Sequence, residues 1–112
     1  MIDHGLLGRH LAMIAEVLVP FAEAIESVGL FGSRATGTQK PGSDINLVLY
    51  GPLTEPMVDR LWTRFLESLL PFPVDVVAYS LITEPALKKQ IDAVMRPLMV
   101  REDLIRRRPK CY

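Results

Sequence analysis

The chain has one cysteine, one tryptophan, two histidines and no net charge. Each scarcity closes off a class of protein. A lone Cys111 cannot form an intrachain disulfide, so no disulfide framework staples this fold, and a reducing cytoplasm is the expected location. His4 and His10 are six positions apart, off any common helical face, and have no cysteine partners; a zinc site is not expected. A formal charge of zero leaves no basic surface for counterion release, so general nucleic-acid binding is not expected either. Long apolar runs are also missing. Leu11 to Phe21 is the most apolar stretch near the start, but Glu16 and Pro20 interrupt it and it is too short to span a bilayer. Only Arg9 supplies basic charge ahead of it and no small-residue cleavage site follows, so neither a signal peptide nor a membrane anchor is expected.

What remains is an ordinary globular composition. With 112 residues, 49% hydrophobic and 23% charged, the chain can bury one core and no second one, so residues 1–112 read as a single domain. Leu7, Leu11, Ile14 and Leu18 recur at helical spacing, giving an amphipathic helix from Leu6 to about Val19 that Pro20 ends or turns. Ile25 to Phe31 reads as a strand. Gly32-Ser33 turns out of it, with Ser33 as N-cap of a short helix, Arg34-Ala35-Thr36, closed by Gly37. After the Pro41-Gly42 turn, Asp44 to Tyr50 is a second strand. A helix starts at Thr54 or Glu55, with Val58, Leu61, Trp62, Phe65, Leu66 and Leu69 as its buried stripe. Val74 to Tyr79 is a third strand, and Thr83 caps another helix whose Leu87, Ile91 and Val94 or Met95 face inward. From Arg101 a charged tail, with Arg106 to Arg108 and Lys110 at its end, has room for one more short helix and reads as solvated. This order implies an α/β (α+β) fold with helices packed on a small mixed sheet. The first two strands are joined by too few residues for a parallel crossover and are expected to be antiparallel.

Five of the seven glycines lie between residues 29 and 51, where backbone must bend or approach a ligand. Gly32 lets backbone N–H groups close on an anion, and the Ser33 hydroxyl can donate to a phosphate oxygen. Arg34 and Lys40 stand near enough in sequence to neutralise phosphates; for Lys40 a solvated loop charge is the better reading. Asp44 and Asn46, two apart on a strand, leave the same face, while Ile45, Leu47 and Leu49 point to the core. Oxygen ligands side by side suit a hard cation such as Mg²⁺. Asp75, between Val74 and Val76, is a carboxylate in an apolar strand. Such burial needs a partner or a metal, and Asp75 joins Asp44 and Asn46 if their strands are neighbours.

GSRATG, then SDINL, then a later strand with a lone Asp resembles the minimal nucleotidyltransferase family of the DNA polymerase β superfamily. The resemblance runs from the first helix to about Met95. It implies that Gly32, Ser33 and Arg34 bind the nucleotide. Asp44, Asn46 and Asp75 would then bind Mg²⁺, with Asp44 and Asp75 catalytic. The implied substrate is an NTP, with ATP as the AMP donor, and the implied partner is a helical HEPN-type toxin whose hydroxyl accepts the nucleotide, the chain acting as antitoxin. A homodimer is left open. Asn46 departs from the family pattern, which has a second metal-binding Asp at that position. An amide oxygen can ligate Mg²⁺ but brings no charge, so the alternative is a catalytically impaired module that binds nucleotide or neutralises its partner by contact.

Overall fold

A computed structural model describes residues 4–107, and Arg108, Pro109, Lys110 and Cys111 of the basic tail lie outside them. The elements in chain order are α1 (Gly8–Leu18), β1 (Ser27–Phe31), α2 (Ser33–Thr36), β2 (Ile45–Tyr50), α3 (Glu55–Leu66), β3 (Val74–Ala78), α4 (Pro85–Val94), β4 (Arg96–Val100) and α5 (Arg101–Arg106). Short 3-10 segments follow α1, with Pro20 in the first turn, and β3. The four strands form one mixed sheet in the order β3-β2-β1-β4. β1 is antiparallel to β2 and β4, and β2 is parallel to β3 through the α3 crossover. The expected antiparallel β1–β2 pair and the mixed sheet are therefore both present.

Alternation along β2 divides the molecule. Ile45, Leu47 and Leu49 are completely buried and face the main core, built with Ile14 and Leu18 of α1 and Leu61 and Phe65 of α3. The other side carries Asn46, Val48 and Tyr50. There Val48 packs with Phe31 and with Ile91 of α4 in a smaller cluster that includes Val77 and Leu87. One helix thus covers only part of this face, over Val48 and Val77. The end carrying Asn46 and Asp75 lies beyond it. No helix among the described residues is long and apolar enough to cross a membrane.

Several local expectations change. β4 is a strand that the sequence does not announce, since Arg96 and Pro97 break any apolar alternation; pairing with β1 creates it. The N-cap of α2 is Gly32, at φ +76°, and Ser33 is the first helical residue. The N-cap of α4 is Glu84, with no side-chain capping bond, so Thr83 does not cap it. Leu61 and Phe65 are buried as expected, but Leu66 and Leu69 are 80% and 89% exposed, which removes them from the core stripe. Trp62 lies at the rim of that stripe. Its indole N–H donates to the Val76 carbonyl at 3.1 Å, on the β3 edge that no strand pairs. His10 is a buried core residue, its Nδ1 accepting the Leu7 N–H at 3.0 Å and its ring standing edge-on to Phe72.

Candidate nucleotide and cation site

Sheet register assembles the site. Asn46 stands opposite Phe31 on one side and Asp75 on the other. Paired residues of neighbouring strands face the same way, roughly 4.8 Å apart, so the Asn46 and Asp75 side chains leave the sheet together. Asp44 ends the loop that enters β2 and is exposed, whereas Asn46 and Asp75 are half-buried. Asp75 has its pKa raised, first by burial and then by the negative charge of Asp44; a hydrogen bond from the Val76 backbone opposes the rise. The two carboxylates therefore share one electrostatic space. A pair of acids that repel each other at the mouth of a half-buried site is a place where a cation relieves both.

Gly32 follows Phe31 directly and so arrives beside Asn46. Its backbone, at φ +76° and ψ −156°, is open to glycine and strained for any other residue. Space adds a second requirement, because a Cβ at Gly32 would run into Asn46 Nδ2. Beyond it, α2 is closed by Gly37 at φ +78°, as the glycine spacing suggests. The Thr36 hydroxyl donates to the Ser33 carbonyl at 3.2 Å, which confines Thr36 to the helical turn. Ser43 serves a turn too. Its Oγ accepts the Lys40 N–H at 2.8 Å, and Lys40 itself is exposed.

Arg34 is placed differently from the phosphate ligand expected of it. Its side chain is 2% exposed. Nε and Nη2 both donate to the Ser43 carbonyl, at 3.1 and 2.7 Å, and Nη1 donates to the His4 carbonyl at 2.9 Å. The guanidinium lies 4.4 Å over the Phe72 ring. Burial lowers its pKa and the nearby charge of Asp44 works against that lowering. This side chain is a clamp. It joins α2 to the loop ending in Asp44 and to the Phe72 loop that leads into Asp75, fixing both approaches to the site. Ser43 and Phe72 are the participants that sequence alone does not reveal, since neither residue type carries a signal for such a role.

Asp44, Asn46, Asp75, Gly32 and Ser33 are thus brought to one end of the sheet, while the Arg34 guanidinium is directed behind them. Among the described residues no group of three or more His, Cys, Asp or Glu side chains converges. No other acid stands in for the missing carboxylate at Asn46 in that set. The donor set that remains is two carboxylates and one amide, all oxygen ligands, which fits a single hard divalent cation better than a pair.

A four-stranded mixed sheet with helices packed on it, a glycine turn and an acid pair at one end define a small α/β domain. Within it, the match is specific: the family model for the nucleotidyltransferase domain covers residues 12–110, and the chain belongs to that family. Comparison with curated proteins finds no match. Among solved structures, the chain is similar to a toxin–antitoxin crystallised with AMP-PNP. The TM-score is 0.66 at 21% identity, covering 87% of this chain and 82% of the other. It is also similar to a mutant of the toxin–antitoxin MntA-HpeT, with a TM-score of 0.64 at 17% identity and coverage of 87% and 81%. At such identities the likeness shows the shared fold.

Proposed function

We propose that this nucleotidyltransferase domain transfers a nucleoside monophosphate, AMP from ATP, to a hydroxyl of a helical HEPN-type toxin, and so acts as an antitoxin in the cytoplasm. The observation that carries this reading is the convergence of Asp44 and Asp75 beside the Gly32-Ser33 turn. The toxin–antitoxin structures of like fold, one of them holding AMP-PNP, support the choice of partner and nucleotide.

In this reading the Gly32-Ser33 turn holds the triphosphate, and Arg34 contributes its backbone and the charge behind the turn. Asp44, Asp75 and the Asn46 oxygen would hold Mg²⁺, which would supply positive charge against the phosphates. The acceptor oxygen forms a bond to the α-phosphorus, the bond from that phosphorus to the β-bridging oxygen breaks, and pyrophosphate leaves. The hydroxyl proton passes to Asp75, acting as general base.

Asn46 favours a second reading, a module that binds nucleotide and partner with little or no turnover. Full two-metal chemistry needs charge that an amide does not supply. Incubating the purified chain with labelled ATP, Mg²⁺ and the helical protein encoded beside it separates the two. Label on the partner that is lost in Asp44→Ala supports transfer. Transfer that appears only in Asn46→Asp supports the binding module, and no binding of ATP under any condition refutes the site.

A further inference from the structure

Asn46 is more than a weakened metal ligand. Its side chain is half-buried in the floor of the site, and it turns the amide nitrogen toward the phosphate turn. A Cβ built on Gly32 would meet Nδ2 first, then Cγ at 3.3 Å and Cβ at 3.6 Å. This amide makes no hydrogen bond to another described residue, so its NH2 group is open to a ligand at the turn. The site therefore presents a half-buried amide group beside Gly32, at the turn expected to hold phosphate.

A carboxylate in this position would repel phosphate unless a cation stood between them. An amide does the opposite, because its N–H groups bond a phosphate oxygen directly. We infer that Asn46 donates from Nδ2 to the triphosphate, so that the site holds a nucleoside triphosphate without needing a divalent cation. The inference rests on the nucleotide-site reading above and adds to it a metal-independent mode of binding. It also gives the substitution a use: the chain keeps its nucleotide when Mg²⁺ is scarce, and the amide oxygen stays available to a cation on the side of Asp44 and Asp75.

The test is calorimetric titration of the full chain with ATP, once in Mg²⁺ and once in EDTA. The wild-type protein is expected to bind ATP in EDTA within about tenfold of its affinity in Mg²⁺. Asn46→Ala, which removes the donor without adding charge, should weaken binding in EDTA about tenfold to a hundredfold, as for a hydrogen bond to a charged group. Asn46→Asp should abolish binding in EDTA and restore it with Mg²⁺. Wild-type binding that vanishes in EDTA but persists in Mg²⁺ overturns the inference with no variant needed, and leaves the nucleotide site standing. So does a folded Asn46→Ala with unchanged affinity in EDTA. Absence of ATP binding in both buffers refutes the nucleotide site and this inference together.

Discussion

Replacing Arg34 by Ala removes a clamp whose parts can be weighed separately. The guanidinium makes two hydrogen bonds to one carbonyl, that of Ser43, and a third to the His4 carbonyl, and lies over Phe72. A hydrogen bond with one charged partner contributes about 1.5–3 kcal/mol net. The two that share the Ser43 oxygen act as little more than one, so the polar part comes to about 3–6 kcal/mol. Stacking on Phe72 adds about 0.5–2 kcal/mol. Against this stands the desolvation of a buried cation, the same burial that lowers the Arg34 pKa. Water entering the vacated space would also re-solvate both carbonyls. A net loss of about 3 kcal/mol is expected, a large share of the ~5–15 kcal/mol that holds a domain of this size together. Urea unfolding followed by the fluorescence of Trp62, the single tryptophan, measures it. Arg34→Lys keeps the charge but loses the fork, and should fall about halfway between. Because the clamp holds the loop ending in Asp44, the Lys variant should also bind Mn²⁺ more weakly while fully folded. An Arg34→Ala protein within about 1 kcal/mol of wild type, with Mn²⁺ binding intact, would refute the clamp.

Gly32→Ala combines a left-handed backbone with a collision against the Asn46 amide. It should destabilise by about 1–3 kcal/mol in thermal melts and lower ATP affinity beyond that of a variant at a neighbouring exposed loop position. Asp75 gives a pH signature. Its folded-state pKa is raised, so the folded protein binds the proton more tightly than the unfolded chain does. The stability from this group is present below the unfolded pKa and lost as pH rises through the folded one, and Asp75→Asn should flatten that fall in urea titrations taken upward from the ordinary aspartate range. Divalent-cation affinity should move the other way, rising over the same window. Asp44→Asn should lower the Asp75 midpoint in both measurements, since the Asp44 charge is the second cause of its shift.

The legible parts of this molecule are those where local pattern and tertiary demand agree. Ile45, Leu47 and Leu49 alternate with Asn46 and Val48, and the sheet sends the first set into the main core and the second to the opposite face, where Val48 is buried with Phe31 and Ile91 and Asn46 stays half-open. The glycines at 32 and 37 stand where the backbone is left-handed. β4 was hidden because Pro97 and Arg96 suit an edge strand only once β1 is there to pair with. Leu66 and Leu69 mislead because a period fixes the direction of a side chain and not the presence of a neighbour. Arg34 misleads for a related reason. An arginine next to a phosphate-type turn has charge suited to phosphate, but its long side chain can turn back to carbonyls of the chain, and the position of Ser43 and Phe72 decides which.

Trp62 has a consequence for how this protein meets others. Its indole N–H takes up the Val76 carbonyl on the outer edge of β3, and at the opposite edge Pro97 and a β-bulge interrupt β4. A free strand edge is a template on which another chain can lay itself down, as in fibre growth and domain exchange. Here both margins are blunted. A partner, or a second copy, gains little by lengthening the sheet, and must grip through side chains instead. If the domain acts on a second protein, as proposed, that leaves recognition to surface chemistry rather than to the cheaper, sequence-indifferent adhesion of backbone to backbone.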